Sequence, residues 1–186
     1  MRVPFRFDFH RPYWIAMSIS LPSDYVADYR GMSEVLFQVH NSPDEGEGYT
    51  NPMVAIEIDG TRWKIYSRWS DDVPTRKNVW DEVRVIDGGD MTRDRGTWVD
   101  WVVHAEFSWA SNGFLAVYKN QVLVDSISGP TSTQDAQGPY VKFGIYKWPW
   151  MEPVPSDYRF NTSMRTVYFD DFKIGDSLNT LRSMSP

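Results

Sequence analysis

Short stretches in which apolar and polar residues alternate recur along this chain, and they constrain its fold more than any other feature of the sequence. Residues 140–146 are the clearest example. One side of this strand is apolar, and the other carries two tyrosines, a lysine and a glycine: Tyr140, Lys142, Gly144 and Tyr146. Turn signals such as Asp59-Gly60 separate roughly ten such stretches, and no long helix is indicated. The pattern predicts an all-β fold, with one polar face per strand favouring two packed sheets.

Composition limits the classes of partner. The 186 residues suit a single domain, predicted over residues 1–176 with a C-terminal tail at 177–186. A formal net charge of -6 argues against nucleic acid, and 16% aromatic residues favour β-structure. The absence of cysteine excludes disulfides and thiolate metal sites. No apolar run reaches membrane-spanning length and no signal-peptide core is visible at the N-terminus, so we expect no membrane partner.

Gln38 and His40 are the first candidates for chemistry. Their spacing puts both on one face of a predicted strand, together with Glu34 and Leu36. The core face of that strand is predicted to carry Val35, Phe37 and Val39. So short a polar pattern is by itself typical of a solvated strand face, and the same holds for Tyr140, Lys142 and Tyr146.

Taken together, these side chains suit the elimination of a sugar from a uronic-acid polymer. That reaction removes the proton next to a carboxylate, and the proton is only weakly acidic while the carboxylate is charged. An arginine or a glutamine amide can neutralise the carboxylate and stabilise the enolate-like transition state. A neutral histidine or a tyrosine phenolate can take the proton, and a tyrosine can protonate the leaving glycosidic oxygen. This version of the reaction requires no metal or cofactor.

The order of motifs resembles that of the polysaccharide lyases with a jelly-roll fold. Gln38-Val39-His40 is similar to the Gln-(Ile/Val)-His motif of the jelly-roll alginate lyases, and residues 140–146 are similar to their Tyr-Phe-Lys-x-Gly-x-Tyr motif. The wider pattern is closer to the glucuronan lyase and heparin lyase I relatives. Its further segments are Tyr13 to Pro22, Trp98 to His104, Gly138 to Tyr146 and Val167 to Gly175. The resemblance covers nearly the whole chain.

The resemblance implies a concanavalin-like jelly-roll sandwich of two antiparallel sheets that acts on an anionic polysaccharide. Gln38 would help to neutralise the substrate carboxylate. His40 would be the base, or would share that role with Tyr146, and Tyr146 would be the general acid. Lys142 would hold the polymer or its carboxylate, and Tyr140 would line the cleft.

Five basic residues complete the predicted site. The family opens with an Arg-x-Glu-x-Arg strand, and its counterpart here is Arg2-Val3-Pro4-Phe5-Arg6, with Pro4 in place of the glutamate. Arg2 and Arg6 are therefore predicted to bind substrate, and either Arg6 or Arg68 could substitute for Arg2 as the arginine that neutralises the carboxylate. If the face that carries Arg62, Lys64, Tyr66 and Arg68 is the concave one, these residues would extend the cleft with subsites for the anionic polymer.

A structural cation is a further expectation. Some relatives of the heparin-lyase type carry a structural calcium ion, and Asp135 lies in the loop where such a ligand would fall. A lone aspartate in a loop is more often a turn residue. His104, on a tryptophan-rich strand, is expected to make a scaffold hydrogen bond instead of taking part in catalysis.

Two other functions stay open at this point. Pro4 and the missing signal peptide favour a non-catalytic carbohydrate-binding or structural module, for example in a virion. A glycoside hydrolase of the concanavalin-like class would need paired carboxylates on one strand, and no such array is present. Both the lyase and the carbohydrate-binding module would act on a polysaccharide outside the cell, so the protein is expected to be extracellular or virion-associated.

Overall fold

Among the residues that the computed structural model describes, eleven β-strands and two short 3-10 turns position the rest of the chain. The structure describes residues 1–150, 156 and 158–179, apart from the side chains of Arg2 and Pro149. The strands are β1 (Arg2–Arg6), β2 (Pro12–Ser20), β3 (Glu34–Ser42), β4 (Val54–Asp59), β5 (Arg62–Trp69), β6 (Glu82–Asp90), β7 (Trp98–Glu106), β8 (Phe114–Lys119), β9 (Val122–Ser128), β10 (Gln137–Tyr146) and β11 (Tyr168–Gly175). The 3-10 turns are Met91–Arg93 and Trp148–Trp150. Most of the tail predicted at 177–186 lies outside the described residues.

The strands form two antiparallel sheets, which confirms the predicted jelly-roll sandwich. One sheet has six strands in the order β1-β10-β3-β4-β5-β6, and the other has five in the order β11-β2-β7-β8-β9. Asp59-Gly60 joins β4 to β5 as a hairpin, with Gly60 at φ 59°. Pro4 lies in β1, at the edge of the six-stranded sheet, where a missing N–H leaves at most one ladder partner unpaired. No helix among the described residues is long and apolar enough to span a membrane.

The core fills the space between the sheets with the apolar faces of both. Its largest side chains include Trp63 of β5 and Trp101 of β7, whose rings meet edge to face at 5.4 Å. Gly88 of β6 makes room for this pair, because a Cβ there would lie 2.8 Å from the Cβ of Trp63. Burial of each such large apolar side chain contributes roughly 1.5–3 kcal/mol to folding.

Two bulges interrupt the strict alternation of inward and outward side chains that the sequence predicts for β3 and β10. In β3, Val35 pairs with Glu57 but Phe37 pairs with Ile56, so Leu36 is an extra residue. Leu36 consequently joins the core, and the prediction that it shares the face of Gln38 is wrong. Val35 turns to the opposite, groove-facing side instead. In β10 the register also shifts between Phe143 and Tyr146, around Gly144 at φ 127°.

A buried ionic cluster fixes the ends of the two strands that carry the candidate site. Asp28 accepts hydrogen bonds from Lys147 Nζ at 2.9 Å and Arg165 Nη2 at 2.8 Å. Arg165 Nε lies 3.0 Å from Glu34 Oε1, and Tyr25 also donates to Glu34. All four charged side chains are almost fully buried, and their charges balance. Since Glu34 begins β3 and Lys147 follows β10, the cluster ties together the two ends.

Candidate active site

The strand register aligns the predicted residues in rows across the outer face of the six-stranded sheet. Gln38 of β3 stands directly between Lys142 of β10 and Ala55 of β4. His40 stands beside Tyr140 in the next row, and Tyr140 in turn pairs with Arg6 of β1. Tyr146 pairs with Val35 in a third row. These neighbours come from strands about a hundred residues apart in sequence, and antiparallel pairing brings them together.

Loops rise over this face and turn it into a groove. A cavity of about 520 Å³ is lined by the predicted residues of β3 and β10 and by two loops: Gln38, His40, Tyr49, Thr50, Asn51, Pro52, Asn78, Tyr140, Lys142 and Tyr146. A second cavity of about 540 Å³ continues it and shares Asn51, Pro52 and Tyr146 with the first. Tyr146 therefore stands where the two cavities meet, half exposed. The continuous groove suits an extended chain better than a compact ligand.

His40 is held in a crowded and largely dry position. Its ring lies nearly parallel to that of Tyr140 at 5.9 Å, and the ring of Tyr49 meets it edge-on at the same distance. Burial, assisted by the ammonium of Lys142, lowers the pKa of His40 to about 4, against a weaker opposing effect of its hydrogen bond to Asn41. The imidazole is thus neutral at neutral pH and has a nitrogen lone pair for taking a proton.

Cationic groups gather around Tyr140 at the floor of the groove. Lys142 Nζ lies 5.2 Å from the Tyr140 ring centre and 5.8 Å from that of Tyr49. The Arg6 guanidinium lies 5.4 Å from the Tyr140 ring, and its Nη1 donates to the carbonyl of Gly138 at 3.1 Å. Two positive charges close to a neutral histidine make this part of the groove locally positive, which favours an anion despite the net negative charge of the chain.

The other predicted basic residues are divided between the groove and another part of the same sheet face. Arg68 lines the second cavity with Tyr146, stacks over the Tyr66 ring at 4.3 Å and donates to the carbonyl of Pro52 at 2.7 Å. Arg62 and Lys64 lie at another cavity on this face, each in an ion pair with an aspartate, Asp87 and Asp59 respectively. These two are therefore largely neutralised and stand apart from the cluster. The backbone of Arg2 pairs with that of Lys142, but its side chain lies outside the described residues.

Tyr49 and Asn78 are among the groove residues that the sequence did not single out. Both lie in loops, where no strand alternation assigns a direction to a side chain. The Asn78 side chain holds the loop beside the groove by accepting from the Asn51 backbone N–H at 2.8 Å. One signal in the sequence could have pointed to Tyr49. It is an aromatic residue in an acidic, glycine-containing loop directly after the Gln-x-His strand.

Asp135 lies near the groove, in a cluster of three carboxylates. Its ligand atom and those of Asp44 and Glu47 all lie within 4.8 Å of one another. Burial raises the pKa of Asp135, as do the neighbouring carboxylates, while a hydrogen bond from Thr133 opposes them. Three converging carboxylates, one of them buried, form a donor set that suits a hard divalent cation such as Ca²⁺. The residues present thus fit the metal that the family resemblance implied.

His104 lies on the outer face of the other sheet, remote from the groove. Its ring stacks on that of Trp14 at 3.8 Å and 8°, and it meets Phe114 edge-on at 4.7 Å. A structural role was expected through a hydrogen bond, but ring stacking is the contact that the structure provides. Trp14 also stacks on Tyr118 at 6.2 Å, so Trp14 links these two rings on the outer face of the sheet.

Comparison with known proteins bears on the family and the fold of the chain. A family model described as polysaccharide lyase matches residues 9–173. No curated protein sequence matches significantly. Among solved structures, an endo-β-1,4-glucuronan lyase from the fungus Trichoderma reesei superposes with a TM-score of 0.73 at 15% identity, over 94% of this chain and 72% of that one. Alginate lyase A1-II′ superposes with a TM-score of 0.53 at 12% identity, over 93% of this chain and 65% of that one.

Proposed function

Because the chain belongs to the polysaccharide lyase family, we propose that it cleaves a uronic-acid-containing polysaccharide by β-elimination in the groove of the six-stranded sheet. The observation that carries the proposal is the set of neighbours across β3 and β10. A neutral histidine, an amide, an ammonium and a phenol all line one groove, at His40, Gln38, Lys142 and Tyr146. The substrate class implies that the protein acts outside the cell or on a virion.

Gln38 and Lys142 are the groups we assign to the substrate carboxylate. They are direct partners across the strand pair, so an amide donor and a positive charge are presented side by side. A carboxylate bound there is partly neutralised, and the negative charge that develops on it during proton removal is stabilised. Arg6 and Arg68 lie at the two sides of the site and are the candidates for binding the neighbouring uronate residues, with Tyr140 lining the floor.

His40 and Tyr146 are the groups we assign to proton transfer. His40 takes the proton on the carbon next to the carboxylate, and the electron pair of that C–H bond forms the new carbon–carbon double bond. The bond from the adjacent carbon to the glycosidic oxygen breaks, and the Tyr146 hydroxyl gives that oxygen a proton. The products are a chain with a free hydroxyl end and a chain that begins with an unsaturated uronate.

The deciding experiment is to incubate the protein with glucuronan, alginate and heparin-type polymers and to follow the ultraviolet absorbance of the unsaturated product. Glucuronan is the substrate we expect, because the glucuronan lyase shares the fold over most of both chains. Binding to a polymer without absorbance from any of them would favour a non-catalytic carbohydrate-binding module. The replacement of the family glutamate by Pro4 supports that second candidate.

We also propose that Ca²⁺ binds at Asp44, Glu47 and Asp135 and stabilises the loops that carry them. At 10 mM Ca²⁺ and a dissociation constant in the range of extracellular sites, the melting temperature should rise by roughly 3–10 °C. Differential scanning calorimetry with and without EDTA measures this change.

A matched control for the calcium proposal is Asp135→Asn, which keeps the size of the side chain and removes its charge. This variant should lose most of the calcium-dependent rise in melting temperature. An equal rise in wild type and variant, or a rise that Mg²⁺ reproduces in full, would count against a Ca²⁺ site here.

A further inference from the structure

The side chain of Asn41 lies directly behind the His40 ring. It is 1% exposed, and its Oδ1 is 3.2 Å from His40 Nδ1 and 3.3 Å from Thr50 Oγ1. Asn41 supplies the hydrogen bonds that the described structure gives the His40 ring, one with its side chain and one with its backbone. Asn41 is almost fully buried and does not line the groove cavity, so it is not exposed to a substrate there.

The direction of this hydrogen bond follows from the groups around the amide. The NH₂ of Asn41 makes no hydrogen bond of normal length among the described residues, yet the side chain lies close enough to the Asp135 carboxyl to lower its pKa. A flipped amide would turn its oxygen towards that carboxylate, which is repulsive. With Oδ1 towards His40, the imidazole must donate from Nδ1–H, because a carbonyl oxygen can only accept.

We propose that Asn41 is a positioning residue that fixes His40 in the Nδ1–H tautomer, so that the Nε2 lone pair is the one available to the groove. The effect of Asn41 on turnover rests on the proposed lyase function, whereas the assignment of the His40 tautomer is independent of that function. A free neutral imidazole prefers hydrogen on Nε2, which would leave the lone pair on the buried nitrogen. The Asn41 hydrogen bond reverses that preference, as an acceptor oxygen against one ring nitrogen does for other functional histidines.

The groups on the other sides of the ring do not supply this control. From β10, Tyr140 offers a ring face and Lys142 a positive charge, and from the 43–52 loop Tyr49 offers a ring edge. None of these contacts places a carbonyl or carboxylate oxygen against a ring nitrogen. Asn41 therefore determines the tautomer, and the Thr50 hydroxyl donates a hydrogen bond that holds the amide in place.

Nitrogen-15 NMR of the imidazole rings tests the proposal without any substrate. The chain has 3 histidines, so the His40 signals can be assigned by their loss in His40→Ala. At pH 8 we expect His40 to show Nδ1–H as its main neutral tautomer. Asn41→Asp keeps the acceptor oxygen and should keep this tautomer, whereas Asn41→Leu, of similar volume, should shift the ring towards Nε2–H. A wild-type His40 that is mainly Nε2–H, or one unchanged in a folded Asn41→Leu, would overturn the proposal.

Kinetics then measure what the tautomer contributes to catalysis. Asn41→Leu should lower kcat by roughly 10–100-fold, the usual effect of losing the hydrogen bond that orients a functional histidine, with little change in KM. Thr50→Val leaves the Asn41 bond to the ring in place and removes the loop hydroxyl that contacts the Asn41 amide and the Asn51 carbonyl, so it should have a smaller effect. If wild type cleaves no polymer but the NMR result holds, the proposed function fails and the positioning of the ring stands. A folded Asn41→Leu with wild-type kcat would refute the catalytic part.

Discussion

His40→Ala is expected to lower kcat by about 10²–10⁴-fold on whichever uronate polymer the wild type cleaves, because it removes the group assigned as general base. The ring is almost fully buried between Tyr140 and Tyr49, so alanine leaves a space that water can enter. Water in that space is a far poorer base than imidazole. Initial rates from the ultraviolet absorbance of the product measure the effect, and KM should change much less than kcat.

The pH profile adds a second signature to this prediction. A histidine with an ordinary pKa of 6.5 would lose its base function over the range of pH 6–7. Because burial and Lys142 lower the pKa of His40 to about 4, kcat/KM should stay high down to pH 5 and fall only near pH 4. Protonation is the step that removes activity, so the loss comes on the acid side.

His104→Ala is the matched control for His40→Ala. It removes an imidazole from the opposite sheet, where the ring is stacked on Trp14, and should leave kcat within the experimental error of wild type. A His40→Ala variant that is folded, as judged by its melting curve, and still turns over at a wild-type rate would contradict the assigned base. If kcat/KM of the wild type instead fell as the pH dropped through 6–7, burial would not lower the pKa of His40 as described.

The fold was predictable because most strands in this chain expose one face. Alternation in Tyr13–Leu21, in the strand that contains Gln38 and in Tyr140–Tyr146 assigns the core faces correctly, with few exceptions. The exceptions are the bulges at Leu36 and Gly144. A bulge depends on how two strands pair, and one strand's sequence carries no direct record of its partner's register.

The candidate site was predictable only in part, for a related reason. Residues on one strand face, such as Gln38 and His40, are readable from their spacing, and the family motif pairs them with β10. Tyr49 and Asn41 were missed. A loop residue like Tyr49 has no periodicity to set its direction, and the importance of Asn41 comes from one contact behind the ring. Of the carboxylate cluster, only Asp135 was predicted from the sequence, because it comes close to Asp44 and Glu47 only in the folded chain.

Tyr146→Phe is expected to lower kcat on polymer by about 10²–10⁴-fold while leaving the fold intact, since it removes one hydroxyl and keeps the ring. Tyr146 stands half exposed at the junction of the two cavities, where the bond to be cleaved would cross from one to the other. A phenol in that position can reach the glycosidic oxygen as it leaves. Without it, the oxygen must depart as an alkoxide, which is a poor leaving group.

The role of Tyr146 as acid can be separated from that of His40 as base by changing the leaving group. A uronate with a nitrophenyl group in place of the departing sugar needs little protonation. Tyr146→Phe should therefore regain much of its lost rate on this substrate, whereas His40→Ala should stay slow because the proton must still be removed. Tyr49→Phe, which also removes a groove hydroxyl, should leave the rate on both substrates near wild type. Equal losses for Tyr146→Phe on the two substrates would mean that Tyr146 takes part in proton removal, and the base would then be shared between Tyr146 and His40.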